Sequence, residues 1–151
     1  VDLLERVVHA VPSFRGVKFT HDDLMDLGLS LAVEDGRYDV LFGRDEMLLS
    51  ALALGVTGMV GSTYNYAMPI YRGLCDAWEA GDRDRAADAQ RTAARLVRVL
   101  SAHGGGLVCG KAMMPGVGLD LGPCRVPNRT LGREEARVAL AAARELGAFE
   151  G

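Results

Sequence analysis

Three times in its first half the chain runs through a short apolar stretch, then a polar cluster, then apolar positions at helical spacing, and this repeat limits what it can fold into. The first stretch is Gly16-Val17-Lys18-Phe19-Thr20, followed from His21 to about Val33 by Leu24, Leu27 and Leu31 at helical intervals. Thr20 and Asp23 fit a capping signature for that helix. The second is Tyr38 to Gly43, followed by a nearly all-apolar helix from about Asp45 to Leu54, which Gly55 is placed to end and which is expected to be buried. The third is Thr57 to Ser62; after Thr63-Tyr64-Asn65 a helix takes Pro69 in an early turn and runs to about Ala80.

Strand and helix in alternation imply parallel strands joined by crossover helices, so the class is α/β. A closed (β/α)8 barrel takes about 250 residues, and the chain has 151. It reads as a small open sheet or as the C-terminal portion of a TIM barrel with three parallel strands. Beyond Asp82 the pattern is helical only. A long helix ends at Gly104, with Ala86, Ala89, Ala93, Leu96, Val97 and Leu100 on one stripe and Arg91, Arg95 and Arg98 on the solvated side. A shorter helical piece surrounds Lys111 to Met114, Gly116 to Asn128 reads as an ordered loop, and Arg133 to Leu146 forms a closing amphipathic helix. The division expected is residues 1–81 as partial barrel and 82–151 as a helical extension packed on it. The chain lacks an initiator Met, and Leu3, Leu4, Val7 and Val8 read as the middle of a helix, so it is expected to begin inside a larger domain.

Hydrophobic residues make up 49% and charged residues 25% of the chain, a composition that excludes disorder and a membrane span. A formal charge of −3 leaves no large basic surface, so nucleic acid is not an expected partner. Cys75, Cys109 and Cys124 are odd in number and form no metal spacing, as expected of buried, reduced thiols in a cytoplasmic protein. His9, His21 and His103 are scattered and read as surface residues, and no cofactor or metal site is expected. Gly58, Gly61 and Gly104-Gly105-Gly106 follow no phosphate-binding pattern and read as turns.

Parallel α/β folds place their sites at the carboxyl ends of the strands. Here those ends deliver Lys18 and Thr20, then Gly43-Arg44-Asp45-Glu46, then Ser62, Thr63, Tyr64 and Asn65. Period-two alternation sends Lys18 and Thr20 to one face and Val17 and Phe19 to the other. With the apolar pair toward the helices, the lysine faces the barrel interior. The chain has fifteen arginines and only two lysines, and a desolvated lysine, unlike an arginine, yields a free amine that attacks carbonyls. Lys18 is therefore the candidate Schiff-base nucleophile; the alternative is a lysine paired to a carboxylate such as Glu46. Asp45 and Glu46 also suit the positive end of the helix they begin. Lys111 reads as structural, capping a helix end or pairing at a subunit contact.

At these residues the sequence resembles a known family. Gly16 to Thr20, Leu41-Phe42-Gly43-Arg44-Asp45-Glu46 with Met47 to Leu52, and Gly58-Met59-Val60-Gly61-Ser62-Thr63-Tyr64-Asn65 resemble the N-acetylneuraminate lyase and dihydrodipicolinate synthase family of class I aldolases, in its N-acetylneuraminate lyase branch. The likeness extends to Lys111-Ala112-Met113 and to Gly122 through Pro127. It implies strands six to eight of a barrel plus C-terminal helices, a homotetramer, and Lys18 forming an imine with the keto carbon of pyruvate or of the sialic acid. Thr20, Gly43, Asp45, Glu46 and Ser62 would line the sugar side. Arg44 departs from the family pattern. The family's strand-five tyrosine and its carboxylate-binding loop have no counterpart, so the chain is expected to be a truncated product, a partial chain or a half that pairs with another half. The function implied is cleavage of N-acetylneuraminate to N-acetylmannosamine and pyruvate. The alternatives are a related aldolase or synthase acting on a 2-keto-3-deoxy sugar acid, or an inactive fragment.

Overall fold

A computed structural model describes residues Val1–Phe149, which divide into two compact units, Val1–Gly61 and Ser62 onward. The first unit opens with α1 (Asp2–Ala10), which buries Leu4 and Val8. β1 (Gly16–Phe19) and β2 (Asp39–Phe42) then pair in parallel, with Lys18 opposite Leu41 and Phe19 opposite Phe42. Between them lies α2 (Leu24–Leu31). Its cap is Asp23, whose carboxylate accepts the Asp26 amide at 2.9 Å, so the capping residue is Asp23 and not Thr20. The strands place Val40 and Phe42 on the helical side, where they join Leu27, Ala51 and Val56 in a buried cluster that Phe19 and Leu24 flank.

The second repeat does not give one uniform helix. A 3-10 turn over Asp45–Met47 leads into α3 (Leu48–Ala53), and Gly55 follows with a positive φ of 94°. Leu48 and Ala51 are buried, but Ala53 and Leu54 are exposed, so burial is confined to one side. The expected third strand is reduced to a single parallel bridge between Phe42 and Met59. Only two backbone bonds make it, Phe42 N–H to Gly58 O at 3.0 Å and Val60 N–H to Phe42 O at 2.9 Å. Two glycines in the run Thr57 to Ser62 deprive it of the side-chain packing that holds a strand extended.

The second unit is helical. α4 (Met68–Glu79) carries Pro69 in its first turn, and α5 (Arg83–Ala102) follows after Gly81, which has a φ of 76°. The Asp82 side chain caps α5 by accepting the Arg85 amide at 3.0 Å. Ala86, Ala93, Leu96 and Leu100 are its buried stripe, Ala89 and Val97 are half-buried at the stripe's margin, and Arg91, Arg95 and Arg98 are exposed as expected of a solvated face. α6 (Gly105–Met113) starts six residues before the expected piece at Lys111, within the glycine run. Burial of Val108, Cys109 and Met113, as α6 packs against α5 and α7 (Arg133–Glu145), outweighs the poor helix propensity of Gly105 and Gly106. No helix of the described residues is long and apolar enough to cross a membrane.

The loop between α6 and α7 is tied down at several points. Lys111 Nζ donates to the loop carbonyl of Pro123 at 2.5 Å, not to a helix end, and the Cys124 amide donates to Thr130 Oγ1 at 2.9 Å. Arg129 makes two 2.8 Å bonds to Glu135. His103, expected on the surface, is instead half-buried with Nδ1 3.4 Å from Glu135.

Two stability predictions follow from these ties. Asp82→Ala removes the α5 cap and is expected to cost about 1 kcal/mol in urea unfolding, while Asp82→Asn costs little. The Arg129 hydrogen bonds, helped by His103, hold the Glu135 carboxyl at about 2 against an ordinary 4.5. A depressed acid stabilises fully above its ordinary value and loses that contribution as pH falls through the folded value. Glu135→Gln is therefore expected to lower Tm at about pH 6, and the gap to wild type should close toward about pH 2; a constant gap would contradict the assignment.

Candidate active site

β1 and β2 set the geometry. Because Phe19 and Phe42 turn toward the helices, Lys18 and Thr20 turn the other way, and Gly43 follows β2 on their side. The Gly43 amide donates to Phe19 O at 2.8 Å, extending the pairing by one residue. A Cβ on Gly43 would lie 2.7 Å from Lys18 Cε and would overlap Thr20 Oγ1. Glycine here is what lets the lysine and threonine side chains meet across the strand end. Val17 shares the Phe19 face but stays 37% exposed.

Two residues beyond Gly43, Asp45 is 5% exposed. Its carboxylate fills the space that a Cβ on Gly61 would take. Glu46 Oε1 is bound by Arg44 Nε at 2.9 Å, so the carboxylate expected as a possible partner of Lys18 is engaged by Arg44 instead. Lys18, Thr20, Gly43 and Asp45 thus gather at the carboxyl ends of the two strands, with Glu46 beside them. Lys18 is exposed, so the dry setting expected for it is not supplied by the described residues. The physical reason is that the core lies on the opposite side of the sheet, around Leu27 and Phe42.

Ser62 belongs to the second unit, where its Oγ lies 3.1 Å from the position of a Cβ on Gly106. Its neighbour Thr63 is buried and donates from Oγ1 to Tyr71 Oη at 2.6 Å, while Tyr64 meets the Tyr71 ring edge-on at 4.5 Å. These residues are packing groups. Two of the thiols are poor nucleophiles: burial pushes Cys109 up to about 11, and burial raises Cys75 as well. Cys75 and Cys124 are half-buried, so only Cys109 matches the expectation of full burial. Among the described residues no group of three potential ligands is arranged for a metal ion.

Gly58 and Gly61 carry more of the site than turns would. Leu41 Cδ2 occupies the place of a Gly58 Cβ as Asp45 occupies that of Gly61. The signal was present as two glycines inside an apolar run, which marks close approach of a neighbour. Which neighbour approaches is a tertiary fact.

The repeats, the parallel pairing and a lysine at the strand ends define an α/β barrel portion with C-terminal helices. The sequence profile of the Dihydrodipicolinate synthetase family matches residues 1–145, and the chain belongs to that family. It is 38% identical over 137 residues to N-acetylneuraminate lyase of Homo sapiens, covering 88% of this chain and 42% of that protein. The Rattus norvegicus N-acetylneuraminate lyase is 40% identical over 128 residues, covering 83% of this chain and 40% of that protein. The solved Proteus mirabilis N-acetylneuraminate lyase superposes with a TM-score of 0.93 at 36% identity, covering 98% of this chain and 50% of that one. The chain spans about two fifths of the length of these curated relatives.

Gly61→Ala is expected to destabilise by about 1–3 kcal/mol through overpacking against Asp45. A double-mutant cycle with Asp45→Ala should show coupling, because the second change frees the space. Additive losses in denaturant unfolding would remove the proposed contact.

Proposed function

We propose that this chain carries the imine-forming lysine of an aldolase that cleaves N-acetylneuraminate to N-acetylmannosamine and pyruvate. The observation that carries this reading is Lys18 standing beside Thr20, across the bare backbone of Gly43, at the carboxyl ends of parallel strands. Similarity to N-acetylneuraminate lyases over most of the chain supports it.

In the proposed reaction the Lys18 amine adds its lone pair to the keto carbon, and loss of water gives a protonated imine. Breaking the bond between the third and fourth substrate carbons sends its electron pair into the imine, leaving an enamine. The fourth-carbon hydroxyl gives its proton to a base and becomes the carbonyl of the released amino sugar. Protonation of the enamine carbon and hydrolysis return pyruvate and free lysine. Thr20, Asp45, Glu46 and Ser62 serve as hydroxyl partners on the sugar side. Glu46 keeps one oxygen for that role, since Arg44 takes the other. Lys18 is exposed, which leaves its amine accessible to a keto acid.

A second reading rests on Arg44. Its guanidinium pairs with Glu46 on the proposed sugar side, where a change in tail preference would give a related aldolase acting on a 2-keto-3-deoxy sugar acid. Turnover of such acids without turnover of N-acetylneuraminate would select this reading over the first.

Incubation with pyruvate and borohydride is expected to leave a reduced adduct on the peptide containing Lys18, read by mass spectrometry. Lys18→Arg should abolish it with the fold intact by circular dichroism, since a guanidinium does not act as the amine. Equal labelling of Lys111, or none on well-folded protein, would count against imine chemistry at Lys18.

A further inference from the structure

The second unit holds a pocket of about 750 Å³, within the size range of small-molecule sites. Ser62 is the one residue of the proposed sugar side among its lining. Tyr66, Leu107, Met114 and Leu121 supply an apolar wall, and the charged lining is of one sign: Lys111 and Arg125, with no carboxylate. In a chain with more acids than bases, that is a local reversal of charge.

Both cations have capacity to spare. Lys111 uses one of its three donors on Pro123 O, leaving two. Arg125 makes no ion pair among the described residues, and its five donors point from a loop held in place by its own bonds. Asn65 and Asn128 add neutral polar groups. Gly106 contributes only backbone where a side chain would crowd the Ser62 hydroxyl, so that hydroxyl remains open to the pocket.

Two unneutralised cations beside an apolar wall favour a ligand with the complementary make-up. We propose that this pocket binds a small organic anion, a carboxylate or phosphate on an apolar body, with Arg125 and Lys111 holding the acidic group and Leu107, Met114 and Leu121 covering the body. The pocket shares Ser62 with the proposed sugar side, and Lys18 is not among its lining.

The test is titration of the 151-residue chain with phenyl phosphate, phenylacetate and, as neutral control, benzyl alcohol, followed by amide chemical shifts. Saturable binding of an anion is expected at residues around Leu107 and Arg125, at least about tenfold tighter than benzyl alcohol. The tighter of the two anions identifies the acid class. Arg125→Gln should weaken the anions about tenfold and leave benzyl alcohol unchanged. Leu107→Glu, at a 64% exposed position that tolerates a polar side chain, should weaken the anions by repulsion. Lys18→Arg should leave binding intact, which separates this site from the aldolase reading. Equal affinity for the neutral ligand, absence of anion binding, or indifference to both Arg125→Gln and Leu107→Glu would overturn the proposal.

Discussion

The register of β1 on β2 is the constraint on which the site depends. Phe19 lies opposite Phe42 and Lys18 opposite Leu41. A slip of one residue would exchange the two faces of β1, driving an ammonium toward the cluster of Leu27, Val40 and Phe42 and turning Phe19 to the open side. Burying an unpaired charge costs far more than any strand propensity recovers. The apolar face therefore selects one register, and that register aims Lys18 and Thr20. Functional direction is here a by-product of core formation.

Glycines complete what the register begins. On the open side of the sheet, Gly43 leaves space for Lys18 and Thr20, and Gly58 leaves space for Leu41. Gly61 leaves space for the Asp45 carboxylate. In each case a missing Cβ admits a side chain from a neighbouring segment. Asp45 is almost fully buried, with its carboxylate in the space that the bare backbone of Gly61 leaves.

Local chemistry made the helix boundaries legible. Asp82 caps α5, Gly81 and Gly104 flank it with positive φ, and Pro69 opens α4. The start of α6 was hidden because three glycines argue for a turn, while the forces that make a helix there come from α5 and α7. The burial of His103 is invisible in local sequence for the same reason, since Glu135 lies 32 residues away. The bridge at Met59 carries the sequence pattern of a full strand, because apolar runs look alike whatever length of them is paired. The pocket around Arg125 had no sequence signal, for its lining is spread from Ser62 to Asn128.

For Lys18, two properties that the imine reading joins turn out to have different origins. Direction follows from alternation along four paired residues, so any chain that keeps β1 on β2 keeps the lysine pointed away from the core. Dryness depends on what covers the open face, and the four residues of a strand carry no information about that. Alternation thus predicted the face correctly and overstated the burial. Attack on a ketone needs the amine's lone pair, which the direction of the side chain alone does not supply. Direction and cover are thus separate demands, and the pairing of β1 with β2 meets only the first.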